Sequence, residues 1–251
     1  MSNLIKYKLY LLFKDWLFPG LDLHTRCRYR FLDEFILEGS VNTLDAGFGN
    51  GALAYLAYQK GSRVLGVSYL QREVTATQDY FDWKAVPRER MQFCRMNIYH
   101  LRDLNQQFDQ IICTETLEHI THDAEVIRIF AELLRPGGRL ILSCPYALHP
   151  DNALGRENEP EDGRHVRDGY TLESYKALLE PAGFQIVATL GLGSPLLCFL
   201  EHRLRVLRAR SGDAGALPAF LAMLPLTRLD YINPEPPLSL VVIAEKQCPP
   251  G

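Results

Sequence analysis

The chain lacks paired cysteine motifs, long apolar runs and an excess of either charge. Its six cysteines, at positions 27, 94, 113, 144, 198 and 248, form no C-x-x-C pair. This spacing indicates neither a zinc knuckle nor a disulfide framework, and we predict a reducing, cytoplasmic environment. The 27 basic and 30 acidic side chains leave a formal charge of -3. That balance disfavours nucleic acid as a partner, because phosphate binding needs clustered cations.

The N-terminal segment is not apolar enough to span a membrane. Its most apolar run, residues 9–13, lies between Lys8 and Lys14 and is far shorter than the ~20 apolar residues that a spanning helix needs. No small-residue cleavage site follows it, so a secretory signal is not predicted. Residues 1–20 are amphipathic and rich in Lys, Tyr, Phe and Trp. We expect a helix that packs on the domain or over its active site, with contact to a membrane surface as the alternative.

Segments typical of strands and of helices alternate along the chain, which predicts a parallel sheet covered on both faces. The predicted strands are residues 41–46, 63–67, 91–95, 108–113, 139–144, 184–190 and 238–246. The predicted helices are residues 22–37, 52–60, 71–84, 123–134, 172–181, 199–210 and 218–229. Between them, residues 146–170 form a long acidic loop, and a loop of this length in a compact domain usually has a function.

A glycine-rich turn follows the first predicted strand and opens a helix, as in nucleotide-binding loops. It reads Asp45-Ala46-Gly47-Phe48-Gly49-Asn50-Gly51. Glycines let the main chain approach a ligand closely, and open parallel sheets bind ligands at this edge. A carboxylate at position 45 would repel a pyrophosphate but suits a ligand that carries an ammonium and a sulfonium. The turn therefore favours S-adenosylmethionine over a nicotinamide dinucleotide.

Four segments together resemble the class I S-adenosylmethionine-dependent methyltransferases. They are TLDAGFGNGALA at 43–54, FDQIICTETLEHI at 108–120, LLRPGGRLILSCPY at 133–146 and HVRDGYTLESYKALLEPAGFQI at 165–186. The resemblance implies an α/β fold, a three-layer Rossmann-like sandwich whose seven-stranded, mostly parallel sheet has an antiparallel last strand. It also implies that S-adenosylmethionine is converted to S-adenosylhomocysteine while a small-molecule acceptor is methylated.

The resemblance covers roughly residues 40–190 and implies one domain over the whole chain. We expect N-terminal helices at 1–39, the cofactor-binding core at 40–190, a helical insertion at 191–237 and the last strand at 238–247. The end segments and the long loop would select the acceptor. A row of arginines in the insertion is typical of a solvated helix face, with binding to phosphate or anionic lipid as the alternative.

The same resemblance implies which residues hold the cofactor. Asp45, Gly47, Gly49 and Gly51 would line its methionine end. The acid that usually ends the second strand and holds the ribose hydroxyls is replaced here by Ser68. The expected cofactor set is completed by the following residues: Tyr69, Gln71, Asn97, Ile98 and Thr114. Asn97 stands where an Asp often reads the adenine amino group. These departures keep open a non-catalytic cofactor-binding subunit as an alternative.

Two histidines are the candidate general bases for a hydroxyl acceptor. His119 follows the fourth strand, and His165 lies where the long loop returns to the sheet. We favour O-methylation of a hydroxyl or carboxyl in a biosynthetic pathway over N- or C-methylation, because polar and histidine-bearing loops suit hydroxyl deprotonation. Glu115, Glu118 and His119 would share one face of a helix and resemble the metal-binding spacing of ubiquinone-pathway O-methyltransferases. We do not predict a metal site, since three ligands alone under-specify one.

Overall fold

The computed structural model describes residues 3–157 and 159–248, and its framework is a seven-stranded sheet with the order β3-β2-β1-β4-β5-β7-β6. The strands are β1 Asn42–Ala46, β2 Arg63–Ser68, β3 Met91–Arg95, β4 Phe108–Thr114, β5 Leu134–Pro145, β6 Phe184–Leu192 and β7 Ser239–Lys246. The first five strands pair in parallel, whereas β7 is antiparallel to both β5 and β6. The predicted Rossmann-like sandwich with an antiparallel last strand is therefore confirmed.

Helices cover both faces of the sheet because successive strand residues point to opposite sides. In β4, Ile112 belongs to one buried cluster and Ile111 to the other. The helices are α1 Asn3–Trp16, α2 Leu23–Phe31, α3 Ala52–Gln59, α4 Gln71–Trp83, α5 Asp123–Leu133, α6 Leu172–Leu179 and α7 Pro195–Met223. Apolar residues of α3, α4 and α7 pack in the first cluster, and those of α5 and α6 pack in the second. Both faces are thus sealed, and the carboxyl edge of the sheet is left for a ligand.

Two predicted helical regions differ from the structure. The helix expected at 22–37 ends at Phe31 and is followed by the separate 3-10 turn Asp33–Phe35. The two helices expected at 199–210 and 218–229 are present with other bounds: the first begins at Pro195, the chain kinks at Gly212, whose φ of 68° is not helical, and the second ends at Met223. Glycine adopts this conformation without a Cβ penalty, so the chain bends there and helical turns resume at once. The 3-10 turn Leu224–Leu229 then completes the insertion.

The N-terminal helices are attached to the glycine turn and to α7. Arg26 donates to the carbonyls of Leu17 and Gly20, and its guanidinium lies 5.1 Å from the centre of the Phe220 ring. The side-chain amide of Asn50 in the glycine turn donates to the Pro19 carbonyl at 2.6 Å. The segment between α1 and α2 therefore supports the turn from outside the sheet.

None of the helices in the described part of the chain is both long and apolar enough to cross a bilayer.

His24 of α2 makes the stability of the fold depend on pH. Burial lowers its pKa from 6.5 to about 4, with neighbouring Arg28 and Arg205 acting in the same direction. Asp22 and Asp230 act in the opposite direction but do not outweigh burial. The folded protein therefore keeps His24 neutral at a pH where the unfolded chain binds a proton, so this contribution to stability is lost as the pH falls from about 6.5 to 4.

We expect the free energy of unfolding to fall by up to about 1.4 kcal/mol per pH unit over this range on account of His24. Replacing His24 with Gln removes the titrating group, so the variant should show a shallower decrease. Urea unfolding of both proteins at several pH values between 4 and 7 measures the difference in slope. Equal slopes would contradict the assignment.

Candidate active site

The glycine turn between β1 and α3 has two positions at which no side chain fits. Gly47 has a φ of 84°, and a Cβ there would lie 2.1 Å from the Thr116 hydroxyl oxygen. Gly51 has a φ of 75°, and a Cβ would lie 2.8 Å from both Phe81 and Thr77. The main chain of the glycine turn is therefore in direct contact with the loop after β4 and with helix α4. The turn is held in a conformation that presents backbone to the cleft.

A cleft of about 780 Å³ opens at the carboxyl edge of the sheet, beside this turn. Seven of the predicted residues line it: Gly47, Gly49, Ser68, Tyr69, Asn97, Ile98 and His119. Further lining residues, which sequence reasoning did not single out, include Leu70, Arg72, Glu73, Tyr99, Thr116 and Glu161. The volume lies within the range typical of small-molecule and cofactor sites.

Four predicted cofactor residues do not line the cleft. Gly51 is covered by Phe81 and Thr77, and the Gln71 amide donates to Thr75 on the surface of α4. Thr114 is replaced at the cleft by Thr116, whose hydroxyl donates to the Thr114 carbonyl at 3.1 Å.

Asp45, the fourth, is buried beneath the glycine turn, against the first turn of α3. One carboxyl oxygen has no hydrogen-bond partner among the described residues. Burial raises the pKa of Asp45 to about 7, although a hydrogen bond from the Ala54 backbone acts in the opposite direction. Asp45 does not line the cleft, because its strand position turns the side chain under the loop, and its interaction with the methionine end stays a prediction. The negative charge of Asp45 would attract a cationic ligand through the glycine turn rather than by direct contact.

Ser68 ends β2 and forms a pair with Glu73 of α4. The Ser68 hydroxyl donates to Glu73 Oε2 at 2.7 Å and accepts from the backbone N–H of Leu70 at 3.1 Å. Both Ser68 and Glu73 line the cleft. The sequence signal for Glu73 was available: an acidic residue in the first turn of the helix that follows β2. The prediction extended only to Gln71, the first residue of that helix, and so did not include Glu73.

Asn97 follows β3 and caps the 3-10 turn Ile98–Leu104. Its side-chain carbonyl accepts from the Tyr99 backbone N–H at 3.0 Å. An amide carbonyl has two lone pairs, so one acceptor position is left for a ligand donor. The proposed contact with an adenine amino group is compatible with this geometry and stays a prediction.

The long acidic loop reaches the cleft through Glu161. This carboxylate accepts from the Tyr99 hydroxyl at 2.5 Å and from the Thr121 backbone N–H at 2.6 Å. Burial alone would raise the pKa of Glu161, but these hydrogen bonds lower it overall. Arg167, near the end of the loop, pairs with Asp123. Glu161 and Arg167 thus both attach the loop to residues 120–123 beside the cleft, and a function of the loop stays a prediction.

His119 and His165 come together at the edge of the cleft. Their ring centres are 4.7 Å apart and the rings are nearly perpendicular. His119 lines the cleft, whereas His165 does not line it and lies behind His119. Burial lowers the pKa of His165, and the neighbouring His119 lowers it further. Glu118 is fully buried beside them, and burial raises its pKa well above the usual value.

The acidic residues near His119 do not share a helix face, which corrects that expectation. Glu115 has a φ of 50° and precedes the 3-10 turn Leu117–His119, so its side chain points toward Arg28 and Ser143. The groups that lie within 4.8 Å of one another are those of Glu118, His119 and His165. Among the described residues, these three are the ones whose ligand atoms could approach one cation.

Fold and cleft define a doubly wound α/β protein that binds a small ligand at the carboxyl edge of its sheet. A family model described as "Methyltransferase domain" matches residues 22–189. The chain therefore belongs to the methyltransferase domain family. The predicted membership of the class I S-adenosylmethionine-dependent methyltransferases is confirmed.

Curated relatives support this assignment at low identity. The chain is 28% identical over 123 residues to the ubiquinone biosynthesis O-methyltransferase of Stutzerimonas stutzeri, covering 46% of this chain and 49% of that protein. It is 32% identical over 166 residues to the 27-O-demethylrifamycin SV methyltransferase of Amycolatopsis mediterranei, covering 64% and 60%. The chain thus spans about half to three fifths of the length of these relatives.

Among solved structures, the magnesium protoporphyrin IX methyltransferase from Synechocystis, with S-adenosylhomocysteine bound, is similar in fold. The TM-score is 0.57 at 18% identity, covering 90% of this chain and 86% of that one. At this identity the likeness concerns the fold alone.

The position of Asp45 predicts that cofactor affinity depends on pH. Its carboxyl is half protonated near pH 7, and a cationic ligand favours the ionised form, so affinity for S-adenosylmethionine should rise between pH 6 and 8. The gain approaches about tenfold for each unit by which the ligand lowers the carboxyl pKa. Calorimetry with Asp45→Asn should show a flatter profile, while Asp79→Asn on α4 serves as a control. Identical profiles for all three proteins would remove Asp45 from cofactor recognition.

Proposed function

We propose that this protein transfers the methyl group of S-adenosylmethionine to a hydroxyl of a small biosynthetic intermediate. The observation that carries the proposal is the His119–His165 pair at the cleft beside the glycine turn. The names of the two curated relatives above both describe methylation at an oxygen. N- and C-methylation are the alternatives within the same fold, and neither needs a base placed against an acceptor hydroxyl.

His119 is the proposed general base, because it lies on the cleft wall where an acceptor hydroxyl can donate to it. The bound cofactor supplies an activated methyl on a positively charged sulfur. The cofactor would supply this methyl group to the acceptor oxygen, and His119 would accept the proton of the acceptor hydroxyl. His165 stays neutral beside it, since two imidazolium rings at this separation repel each other.

A non-catalytic cofactor-binding subunit is the rival function. The argument for it is that no acidic residue ends β2. The presence of Glu73 on the cleft wall weakens this argument. S-adenosylmethionine binding without turnover on a panel of hydroxyl acceptors would favour the rival. Absence of binding would exclude both functions.

Replacing His119 with Ala should lower kcat about 100-fold or more, the usual contribution of a general base, with little effect on cofactor affinity. His165→Ala should give a smaller loss, because this residue acts through His119. His100→Ala is the matched control, since His100 lies on an exposed 3-10 turn and does not line the cleft. Methyl transfer with full kcat in His119→Ala would show that His119 has a structural role.

We further propose that α1, which packs on the domain through one face, contacts a membrane surface through its opposite face. The face of α1 that packs on the protein carries both apolar and charged side chains. Leu11 is buried, Lys14 lies over the Tyr80 ring, and Asp15 accepts a hydrogen bond from the Tyr80 hydroxyl. The opposite face is apolar, with four side chains 41–62% exposed: Leu9, Leu12, Phe13 and Trp16. Apolar and aromatic groups of this kind, with lysines on the same helix, suit anionic bilayer surfaces.

In flotation assays the protein should associate with vesicles that contain phosphatidylglycerol and less with vesicles of phosphatidylcholine alone. Leu9→Ser with Phe13→Ser should release it, since the change removes apolar area from the outer face of α1. Leu226→Ser with Leu229→Ser, also exposed, is the matched control. If the α1 double variant floats as well as the unmodified chain, α1 is not the contact.

The cytoplasmic location and the single domain over residues 1–251 also stay predictions. All six cysteines are free thiols, which supports a reducing cytoplasm. The sheet draws strands from residue 42 to residue 246, which supports a single domain over residues 1–251.

A further inference from the structure

The chain has no acidic residue at the end of β2, yet a carboxylate reaches the same place from the neighbouring helix. Ser68 is the last residue of β2 and pairs with Arg95 at the end of β3. Glu73 lies in the first turn of α4, which begins three residues after Ser68. The two side chains are joined by a hydrogen bond of 2.7 Å.

The hydrogen bonds of Ser68 leave it no proton for a ligand. A serine hydroxyl has one donor, and that donor is directed to Glu73 Oε2. One of its lone pairs accepts from the Leu70 N–H. Ser68 therefore orients the Glu73 carboxylate and cannot by itself hold a pair of ligand hydroxyls.

The Glu73 carboxylate is well suited to accept from hydroxyl groups. It is half-buried on the cleft wall and keeps acceptor positions on both oxygens. Its place in the first turn of α4 favours a negative charge, because the N-terminus of a helix carries a partial positive charge. Two neighbouring hydroxyls can each donate to one oxygen of such a group, and charged hydrogen bonds of this type are the stronger ones.

We propose that Glu73 holds the ribose diol of the cofactor and that Ser68 acts as its positioning residue. The proposal rests on the use of S-adenosylmethionine proposed above. It assigns recognition of the ribose to a carboxylate on α4 rather than to β2. It also implies selectivity, since a cofactor with a phosphate on its ribose would be repelled by Glu73.

The first test compares two ligands by calorimetry: S-adenosylhomocysteine and its analogue that lacks both ribose hydroxyls. Glu73→Gln should weaken binding of S-adenosylhomocysteine about 10- to 100-fold, as for the loss of a charged hydrogen bond. Binding of the dideoxy analogue should be the same for the variant and the unmodified chain. Asp79→Asn, the same loss of charge on the same helix, should change neither.

The second test moves the acid back to the strand. In Ser68→Asp combined with Glu73→Gln, the Gln amide can donate to the new carboxylate, so the pair is reversed and the charge is retained. This double variant should recover affinity for S-adenosylhomocysteine to within a few-fold of the unmodified chain. Thermal unfolding of each variant checks that the fold is intact.

Three results would overturn the proposal. One is unchanged affinity in Glu73→Gln, and another is an equal loss for both ligands, which would indicate a change in the fold of the cleft. The third is failure of the double variant to recover binding while it remains folded. If the unmodified chain binds no S-adenosylhomocysteine, the use of this cofactor fails, and the role of Glu73 fails with it.

Discussion

The close contact of the glycine turn with Thr116 is the constraint on which the site depends. Because a Cβ at Gly47 would lie 2.1 Å from the Thr116 hydroxyl oxygen, the loop after β1 can contact the Thr116 side chain only where it has no side chain of its own. Helix α4 closes on Gly51 in the same way through Phe81 and Thr77. The cleft therefore has a rigid floor, and its walls come from three neighbouring strand ends.

Charge is distributed unevenly around that floor. Asp45 lies beneath the turn with a pKa raised by burial, Glu73 lies on the wall beside β2, and Glu161 closes the far side from the long loop. Only one of them, Asp45, was singled out from the sequence. Carboxylates on several sides suit a ligand that carries positive charge and hydroxyl groups, and no single one of them defines the site.

The two parts of the N-terminal segment differ in what they bind. The turn at Pro19 and the α2 helix hold the glycine turn and α7 through Asn50 and Arg26. Helix α1 instead binds the domain through the face that carries both apolar and charged side chains and leaves its apolar face exposed. Amphipathicity alone could not distinguish these arrangements, because a helix with one apolar stripe has the same pattern whichever way it is turned.

The sequence by itself determined the strands, the glycine turn and the family. Apolar alternation and the glycine spacing are local properties, and they led to the correct seven-stranded sheet and to Gly47, Gly49 and His119 at the cleft. Tertiary structure decided which side chains face the ligand. Asp45 turned under the loop, Glu115 turned away from Glu118, and Glu73 came to Ser68 from another element. These outcomes depend on how strand ends and helices pack against each other, and no spacing along the chain encodes that directly.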